Sequence, residues 1–302
     1  FEVDEHMEST TVVKSLMPRF GGMSMFAVTE RSYHQVAEVL GRQERLSING
    51  WFHGAPYPRP PPSLQKAPSF EPITGEGARP ALSDWLHDTY LNDDAIKKVN
   101  SQLTESSSVE LHSFLRAEKY DLMVKELSAA TAEWKLHGPA HHARFFEPYP
   151  LPPTVSECLK LFKSAAFAAH LHRMSNLDLT RVAGSVRKFE QGCYTLVDDS
   201  SFQQPPELDV VLTIVPEKTE WTKDTGGVVL YLDSEEELQA VAPHANTLSV
   251  VYRDSACNRF VMYNTHNSPG TRMDISMVYR EDEGKEGASG SEQDDASGSE
   301  QD

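Results

Sequence analysis

The stretch PRFGGMSMFAVTERSYHQVAEVLGRQERLSINGWFHG, residues 18–54, alternates apolar and polar side chains in two places. The alternation covers residues 23–28 and 45–50, and a period of two predicts a short β-strand at each. His34 lies between them in a segment that also has strand character, and Arg45 and Ser47 share one face of the second strand. The stretch therefore predicts neighbouring strands, each with a polar anchor.

These anchors suit a site that holds iron and a 2-oxo acid. An imidazole such as that of His34 supplies one ligand of a two-histidine, one-carboxylate metal site, and the guanidinium of Arg45 grips a carboxylate through two hydrogen bonds. Ser47 can donate a further hydrogen bond to the same carboxylate. The spacing alone leaves a second interpretation open, in which a surface histidine and a surface arginine lie on antiparallel neighbours.

The sequence around His34, Arg45 and Ser47 resembles that of a known family of oxygenases. The segments VVKSLMPRFGGMSMFAV (12–28), SYHQVAEV (32–39) and RLSINGWFHG (45–54) resemble the closing half of the catalytic domain in the ribosomal prolyl 3-hydroxylases. That family carries two double-stranded β-helix (jelly-roll) domains in tandem, of which the first is active and the second is not. The resemblance covers nearly all of residues 1–280.

The resemblance implies a function and a set of site residues. The activity would be C3 hydroxylation of a prolyl residue in a small-subunit ribosomal protein, affecting translation, with Fe(II), 2-oxoglutarate and ascorbate. His34 would be a metal ligand, Arg45 and Ser47 would hold the 5-carboxylate of 2-oxoglutarate, and no other catalytic residue is implied. The implied locations are the cytoplasm and the nucleus.

One part of the family's site is missing from the sequence. The family places its first histidine and its carboxylate in a His-x-Asp motif upstream of the strands seen here, and this chain has no such motif. Residues 4–6, Asp-Glu-His, have the wrong order and place to substitute for it. We therefore expect the chain to be N-terminally truncated, and two interpretations stay open: an iron enzyme whose missing strand lies upstream, or a site with one ligand and an anion clamp.

Composition limits the partners. The formal net charge of −17 argues against a direct nucleic-acid-binding surface, because phosphate contacts need concentrated Lys and Arg, and it favours a basic substrate. The chain has no apolar run long enough to span a membrane. Three widely spaced cysteines, Cys158, Cys193 and Cys257, indicate a reducing compartment rather than a disulfide framework.

The sequence predicts an α+β fold that is mainly β with flanking helices, made of two tandem β-helix domains, the first incomplete. Residues 1–53 would be the C-terminal part of the catalytic domain. Residues 54–80, rich in proline, would be an extended linker unable to hold a sheet ladder. Residues 81–280 would form the second, non-catalytic domain with N-terminal helices, and residues 281–302 a disordered acidic tail that binds basic partners.

Periodicity predicts the elements of the second domain. Helices are expected over 93–102, 117–130 and 154–174, the last with a Thr154–Glu157 capping box, and a strand over 109–115. Seven strands follow, over 179–182, 193–197, 208–215, 228–232, 248–252, 259–262 and 273–279. Asp198-Asp199-Ser200 stands where an active domain would have His-x-Asp, and Arg272 stands where the first domain has Arg45. This domain is therefore assigned to packing and to recognition of substrate or partners.

Two other functions compete with the oxygenase. A non-catalytic scaffold for translation or RNA-handling proteins would use the same domains, the Pro-rich spacer and the acidic tail. A cupin-like binder of sugars or small acids is the third possibility. The histidines outside the stretch add no site: His141 is expected in an exposed loop, and His266 lacks a partner at ligand spacing.

Overall fold

The computed structural model describes residues 1–55, 68–73, 81–129, 132–197, 205–233 and 236–282. From residue 81 onward the chain folds as antiparallel sheets, and helices pack on one face of the larger sheet. The mainly β class with flanking helices is therefore confirmed. Among the described residues, no helix is long and apolar enough to cross a membrane.

The helices lie early in this folded part, as predicted. They are Leu82–Trp85 (α1), Asp93–Ser106 (α2), Ala117–Leu127 (α3), Pro153–Phe162 (α4) and Ala165–Ser175 (α5), with a 3-10 turn at Asp88–Leu91. Asn92 begins α2, where its side chain accepts hydrogen bonds from the N–H groups of residues 94 and 95. The predicted helices at 93–102 and 117–130 correspond to α2 and α3; residue 130 lies outside the described residues.

The prediction of one helix over 154–174 is wrong, because the chain breaks between α4 and α5. Ser164 is extended, with φ −84° and ψ 151°, and its hydroxyl accepts from the Phe167 N–H while donating to the carbonyl of Leu161. A serine that bonds its own backbone ends one helix and starts another. The predicted capping box is also wrong: Thr154 donates through its N–H and its hydroxyl to the carboxylate of Glu126 on α3.

Two antiparallel sheets are built from the described strands. The strands are Glu71–Pro72 (β1), Ser108–His112 (β2), Trp134–His137 (β3), Ala143–Pro148 (β4), Leu179–Phe189 (β5), Tyr194–Thr195 (β6), Glu207–Ile214 (β7), Val229–Asp233 (β8), Glu236–Val241 (β9), Thr247–Arg253 (β10), Cys257–Val261 (β11) and Arg272–Glu281 (β12). The large sheet has the order β2-β10-β7-β12-β5-β4-β3, with β1 beside β5 and β6 beside β4. The small sheet has the order β11-β8-β9. Each of the strands predicted after residue 179 overlaps one of these.

The two faces of the large sheet bury different chemistry. On β7 and β12 the residues Leu208, Val210, Ile275 and Met277 belong to the apolar core shared with the helices. The alternate residues face the small sheet, because neighbours along a strand point to opposite faces. That second layer combines a smaller apolar cluster, which includes Val229 and Tyr231 of β8, with buried charged residues.

Two predictions near the N-terminus are wrong. The strands expected over 23–28 and 45–50 are absent, and residues 1–55 contain only an isolated bridge between Val3 and Ser9. A lone strand pair is marginal in water, and in this segment apolar side chains such as Phe20 and Ile48 are fully exposed with no facing layer. In the predicted linker, Glu71 and Pro72 do pair with β5. Proline is tolerated in such a short edge strand because its missing N–H can face away from the partner strand. The rest of the predicted linker (56–67 and 74–80) and the tail from 283 lie outside the described residues.

Candidate active-site segment and its contact with the second domain

His34 is exposed, and its ring is held by contacts with neighbouring residues of the same segment. Its Nδ1 is 2.9 Å from the carbonyl oxygen of Ser32, and its ring meets that of Phe26 edge-on at 4.9 Å between centroids. A carbonyl only accepts hydrogen bonds, so Nδ1 is the donor in this contact. A backbone carbonyl that fixes the tautomer in this way is the usual support of a histidine ligand.

Arg45 lies at the mouth of a shallow depression of about 430 Å³. Its side chain is exposed, and no carboxylate of the described residues pairs with its guanidinium. Arg42 and Leu46 line the same depression, whereas His34 does not. The guanidinium is thus free to bind an anion. Ser47 is exposed beside it, and the roles of Arg45, Ser47 and His34 stay predictions.

The described residues do not complete an iron site. An iron centre of this class needs two imidazoles and one carboxylate on one face. No group of three or more His, Cys, Asp or Glu side chains in the described part of the chain is arranged to hold a metal. Asp198-Asp199-Ser200, expected at the corresponding place in the second domain, lies outside the described residues. The donor set present, one imidazole, does not by itself fit Fe(II).

The segment around His34 contacts the second domain at two points. The ring of Tyr33 lies against that of His141, with centroids 4.5 Å apart and planes tilted by 30°, and Ser9 shares a hydrogen bond of 3.1 Å with Nδ1 of the same histidine. Glu38 accepts from the backbone N–H of His266 at 2.9 Å and lies 2.7 Å from its Nδ1. His141 is therefore half-buried rather than exposed as predicted, and His266 is hydrogen-bonded to Glu38.

The second domain contains a network of buried charges. Asp274 on β12 lies directly across from Arg187 on β5, which grips it through Nε at 2.8 Å and Nη2 at 3.0 Å. Two strands away, Arg253 of β10 pairs with Glu207 and Asp209 of β7. All of these groups lie on the side of the large sheet that faces the small sheet. Arg259, Arg272 and Arg280 join the same network, in which Arg259 pairs with Asp209, Arg272 with Asp274 and Arg280 with Glu207.

Arg272, the residue of this network that corresponds to Arg45, already has a carboxylate partner. Arg272 is fully buried and donates to Asp274 at 2.7 Å and to the carbonyl oxygen of Gly227. Burial by itself raises the pKa of Asp274, but Arg187 and Arg272 outweigh it and hold that pKa below its usual value. Asp274 is thus held in its charged form against Arg272, so the guanidinium of Arg272 is not available to a ligand as that of Arg45 is.

Sequence reasoning missed the residues that join the two parts of the chain. Glu38 and His266 are 228 positions apart, and no local pattern marks either one. The buried charges did leave a signal: Glu207-Leu-Asp209 and Arg272-Met-Asp274 place charges at alternate positions of otherwise apolar strands. Such a pattern is typical of a strand whose second face is polar but enclosed.

Comparison with known proteins agrees with this architecture. Residues 78–287 match the family described as oxoglutarate and iron-dependent oxygenase degradation C-term, and residues 1–53 match the 2OG-Fe(II) oxygenase superfamily. Among solved structures, a Pseudomonas putida prolyl-4-hydroxylase superposes with a TM-score of 0.46 and 16% identity, over 61% of this chain and 98% of that one.

Two similar proteins are named prolyl 3-hydroxylases. Prolyl 3-hydroxylase OGFOD1 of Mus musculus is 28% identical over 89% of this chain and 62% of its own length. Prolyl 3-hydroxylase sudestada1 of Drosophila melanogaster is 28% identical over 92% of this chain and 58% of its own. The chain thus spans about 60% of the curated relatives it matches. It belongs to the oxoglutarate and iron-dependent oxygenase degradation C-term family, and its resemblance to the prolyl 3-hydroxylases is confirmed.

Proposed function

We propose that this protein is a prolyl 3-hydroxylase, a 2-oxoglutarate and Fe(II)-dependent dioxygenase that modifies a prolyl residue of a small-subunit ribosomal protein and thereby affects translation. The observation that carries the proposal is the alignment with relatives named prolyl 3-hydroxylases over about nine-tenths of the chain. The match of residues 1–53 to the 2OG-Fe(II) oxygenase superfamily includes His34, Arg45 and Ser47 and adds support.

Each of these three residues has a definite task in the proposal. Arg45 binds the far carboxylate of 2-oxoglutarate through two charge-assisted hydrogen bonds, and Ser47 donates a third. His34 offers Nε2 to the metal while Ser32 holds the proton on Nδ1. The other two metal ligands are not supplied by the described residues, so no reaction step through iron follows from this chain alone.

The proposed partners follow from charge. A net charge of −17 favours association with a basic substrate such as a ribosomal protein, and disfavours direct contact with nucleic acid. The acidic C-terminal stretch would add to the attraction for basic partners. Ascorbate as a reductant, and residence in the cytoplasm and nucleus, are part of the same proposal and rest on the resemblance.

A non-catalytic scaffold is the second candidate. Two observations favour it: one imidazole in place of three ligands among the described residues, and a second domain whose arginine clamp is filled by Asp274. A scaffold would need neither a metal nor 2-oxoglutarate. Its binding to translation proteins would therefore be the same with and without a metal chelator.

The deciding experiment is a hydroxylation assay on the complete protein. Protein, Fe(II), 2-oxoglutarate, ascorbate and candidate ribosomal peptides are incubated together, and mass spectrometry looks for one added oxygen atom on proline. We expect Arg45→Ala to raise the 2-oxoglutarate concentration needed for half-maximal rate about 10- to 100-fold, the usual effect of losing a charged hydrogen-bond pair.

Arg19→Ala is the matched control, because Arg19 is exposed in the same N-terminal segment and does not line the depression. It should leave the 2-oxoglutarate requirement unchanged. Full activity of Arg45→Ala at low 2-oxoglutarate would contradict the assignment of the clamp. Absence of any oxygen transfer by the wild-type protein, together with retained binding of a ribosomal partner, would favour the scaffold.

A further inference from the structure

The two terminal strands of the large sheet differ in how their outer edges are covered. On β2, which ends the sheet on one side, the hydroxyl of Tyr90 donates to the carbonyl of His112 at 2.6 Å. The hydroxyl of Ser106 donates to the carbonyl of Ser108 of the same strand at 2.8 Å. On β3, which ends the sheet on the other side, the described residues form hydrogen bonds along the inner edge, with β4. The sheet can therefore be extended at β3.

A proline in the neighbouring strand shows which backbone groups of β3 face outward. Trp134 lies directly opposite Pro148 of β4. One step along the pair, the N–H of Tyr149 donates to the carbonyl of Glu133 at 2.9 Å. In an antiparallel pair, residues that exchange hydrogen bonds alternate with residues whose N–H and C=O groups point away, and Pro148 has no N–H to exchange. The N–H and C=O groups of Trp134 and Leu136 therefore lie along the outer edge.

The charges beside Trp134 favour a second copy of β3 as the strand that pairs with this edge. Glu133 and Lys135 are exposed on either side of Trp134. An antiparallel copy centred on Trp134 places Lys135 of each copy directly opposite Glu133 of the other. The two Trp134 residues then exchange two hydrogen bonds, and the N–H of Leu136 donates to the carbonyl of Ala132 in the other copy. A pair centred on Lys135 instead would place two ammonium groups opposite each other, so charge disfavours that register.

Exposed apolar side chains lie beside the same edge. Leu136 is 49% exposed, and Tyr149 and Leu151, which follow β4, are 73% and 37% exposed. Trp134 is already held in place, because it packs against the main core and the ammonium group of Lys188 lies 4.4 Å from its ring centroid. The edge thus combines apolar area with fixed hydrogen-bonding groups, and such preorganisation lowers the entropy cost of association.

We propose that β3 is a self-association surface, through which two copies of this protein pair edge to edge about a two-fold axis. The two large sheets then form one continuous sheet across the axis. The interface is isologous, because Glu133 and Lys135 of each copy contact the other in the same way. One short strand from each copy buries little area, so we expect a weak dimer that forms at high protein concentration.

The first measurement is the dimer Kd of the complete protein, from analytical ultracentrifugation at micromolar to near-millimolar concentrations. Lys135→Glu places two pairs of carboxylates opposite each other, and we expect it to raise the Kd about tenfold. Glu133→Lys should do the same with two pairs of ammonium groups. The double variant Glu133→Lys/Lys135→Glu restores opposite charges and should return the Kd to the wild-type value. Lys98→Glu, at an exposed position of α2, is the control and should leave the Kd unchanged.

The second measurement follows the outer edge itself by amide hydrogen exchange. Exchange at Trp134 and Leu136 should slow as the protein concentration rises. The amides of Lys135 and His137, which face β4, should be protected at every concentration. Leu136→Pro removes an outward N–H and no bond to β4, so it should abolish the dimer and leave the thermal midpoint nearly unchanged. Leu136→Ala keeps that N–H and should still form the dimer.

Two results would overturn the inference. One is a complete wild-type protein that stays monomeric over the whole concentration range. The other is a dimer whose Kd responds to neither Lys135→Glu nor Leu136→Pro, because such a dimer uses another surface. Recovery of the wild-type Kd in the double charge variant, together with slower exchange at Trp134 and Leu136, supports pairing through β3.

Discussion

A buried histidine on α5 should make the stability of this protein depend on pH. His170 is 3% exposed, its ring lies 6.5 Å from that of Phe167, and its Nε2 has no hydrogen-bond partner among the described residues. Burial lowers the pKa of His170 to about 4, and the charge of Arg173 acts in the same direction. The folded protein therefore keeps this ring neutral where the unfolded chain would already be protonated.

The sign and size of the effect follow from that difference. Because the folded pKa is depressed, stability is fully present above the ordinary value of 6.5 and is lost as pH falls from 6.5 toward 4. At about 1.36 kcal/mol for each pKa unit, the loss approaches about 3 kcal/mol at low pH and is about 2 kcal/mol at pH ~5. Replacing His170 by leucine removes the ring that takes up the proton and leaves an apolar side chain at the same buried position.

The assay is urea unfolding at pH values of about 7.5, 6 and 5 for the wild type and for His170→Leu. We expect the stability of the variant relative to wild type to increase by about 2 kcal/mol between the highest and the lowest pH. His172→Leu, on an exposed part of the same helix, should follow the wild-type curve. A stability difference between His170→Leu and wild type that stays constant across these pH values would refute the reasoning.

Two further substitutions test buried polar contacts. Asp274→Ala removes the carboxylate between Arg187 and Arg272, and should lower the free energy of unfolding by about 3–5 kcal/mol because it leaves buried cations unpaired. Formate, which has the size of the lost group, should restore part of the urea midpoint. A midpoint that does not respond to formate would show that the space left by the carboxylate closes. Glu126→Ala removes the acceptor of two hydrogen bonds from Thr154, and should lower the free energy of unfolding in urea by about 1–2 kcal/mol. A loss smaller than about 0.5 kcal/mol would mean that water replaces the carboxylate.

The second domain was predictable from local pattern to a large extent. Strands such as β7 and β12 are buried on both faces, so a bounded run of mostly apolar residues predicts each strand well. The helix boundary at Ser164 was not predictable from the same signal, because the apolar stripe continues through the break. What ends α4 there is a hydroxyl that bonds its own backbone, a local competition that the period of the apolar residues does not record.

The N-terminal segment was misjudged for the opposite reason. Its alternation of apolar and polar residues is that of a strand, but a strand needs a neighbour and a layer to cover its apolar face. In the described residues Met23 and Leu46 are 84% and 90% exposed. What holds this segment is instead a set of side-chain contacts to distant residues, such as Glu38 with His266, and contacts of that kind leave no periodic trace in a sequence.

The pairs Arg45-x-Ser47 and Arg272-x-Asp274 show what spacing can and cannot predict. The common spacing puts the arginine and the second residue on one face of a strand, and so predicts an anion clamp in both places. Whether the clamp is available depends on the second residue: a hydroxyl adds a hydrogen bond without neutralising the guanidinium, whereas a carboxylate neutralises it. In the structure Asp274 does so for Arg272, and Arg45 has no such partner among the described residues. The carboxylate of Asp274 thus neutralises the buried guanidinium of Arg272, whereas the hydroxyl of Ser47 leaves the charge of the exposed Arg45 in place.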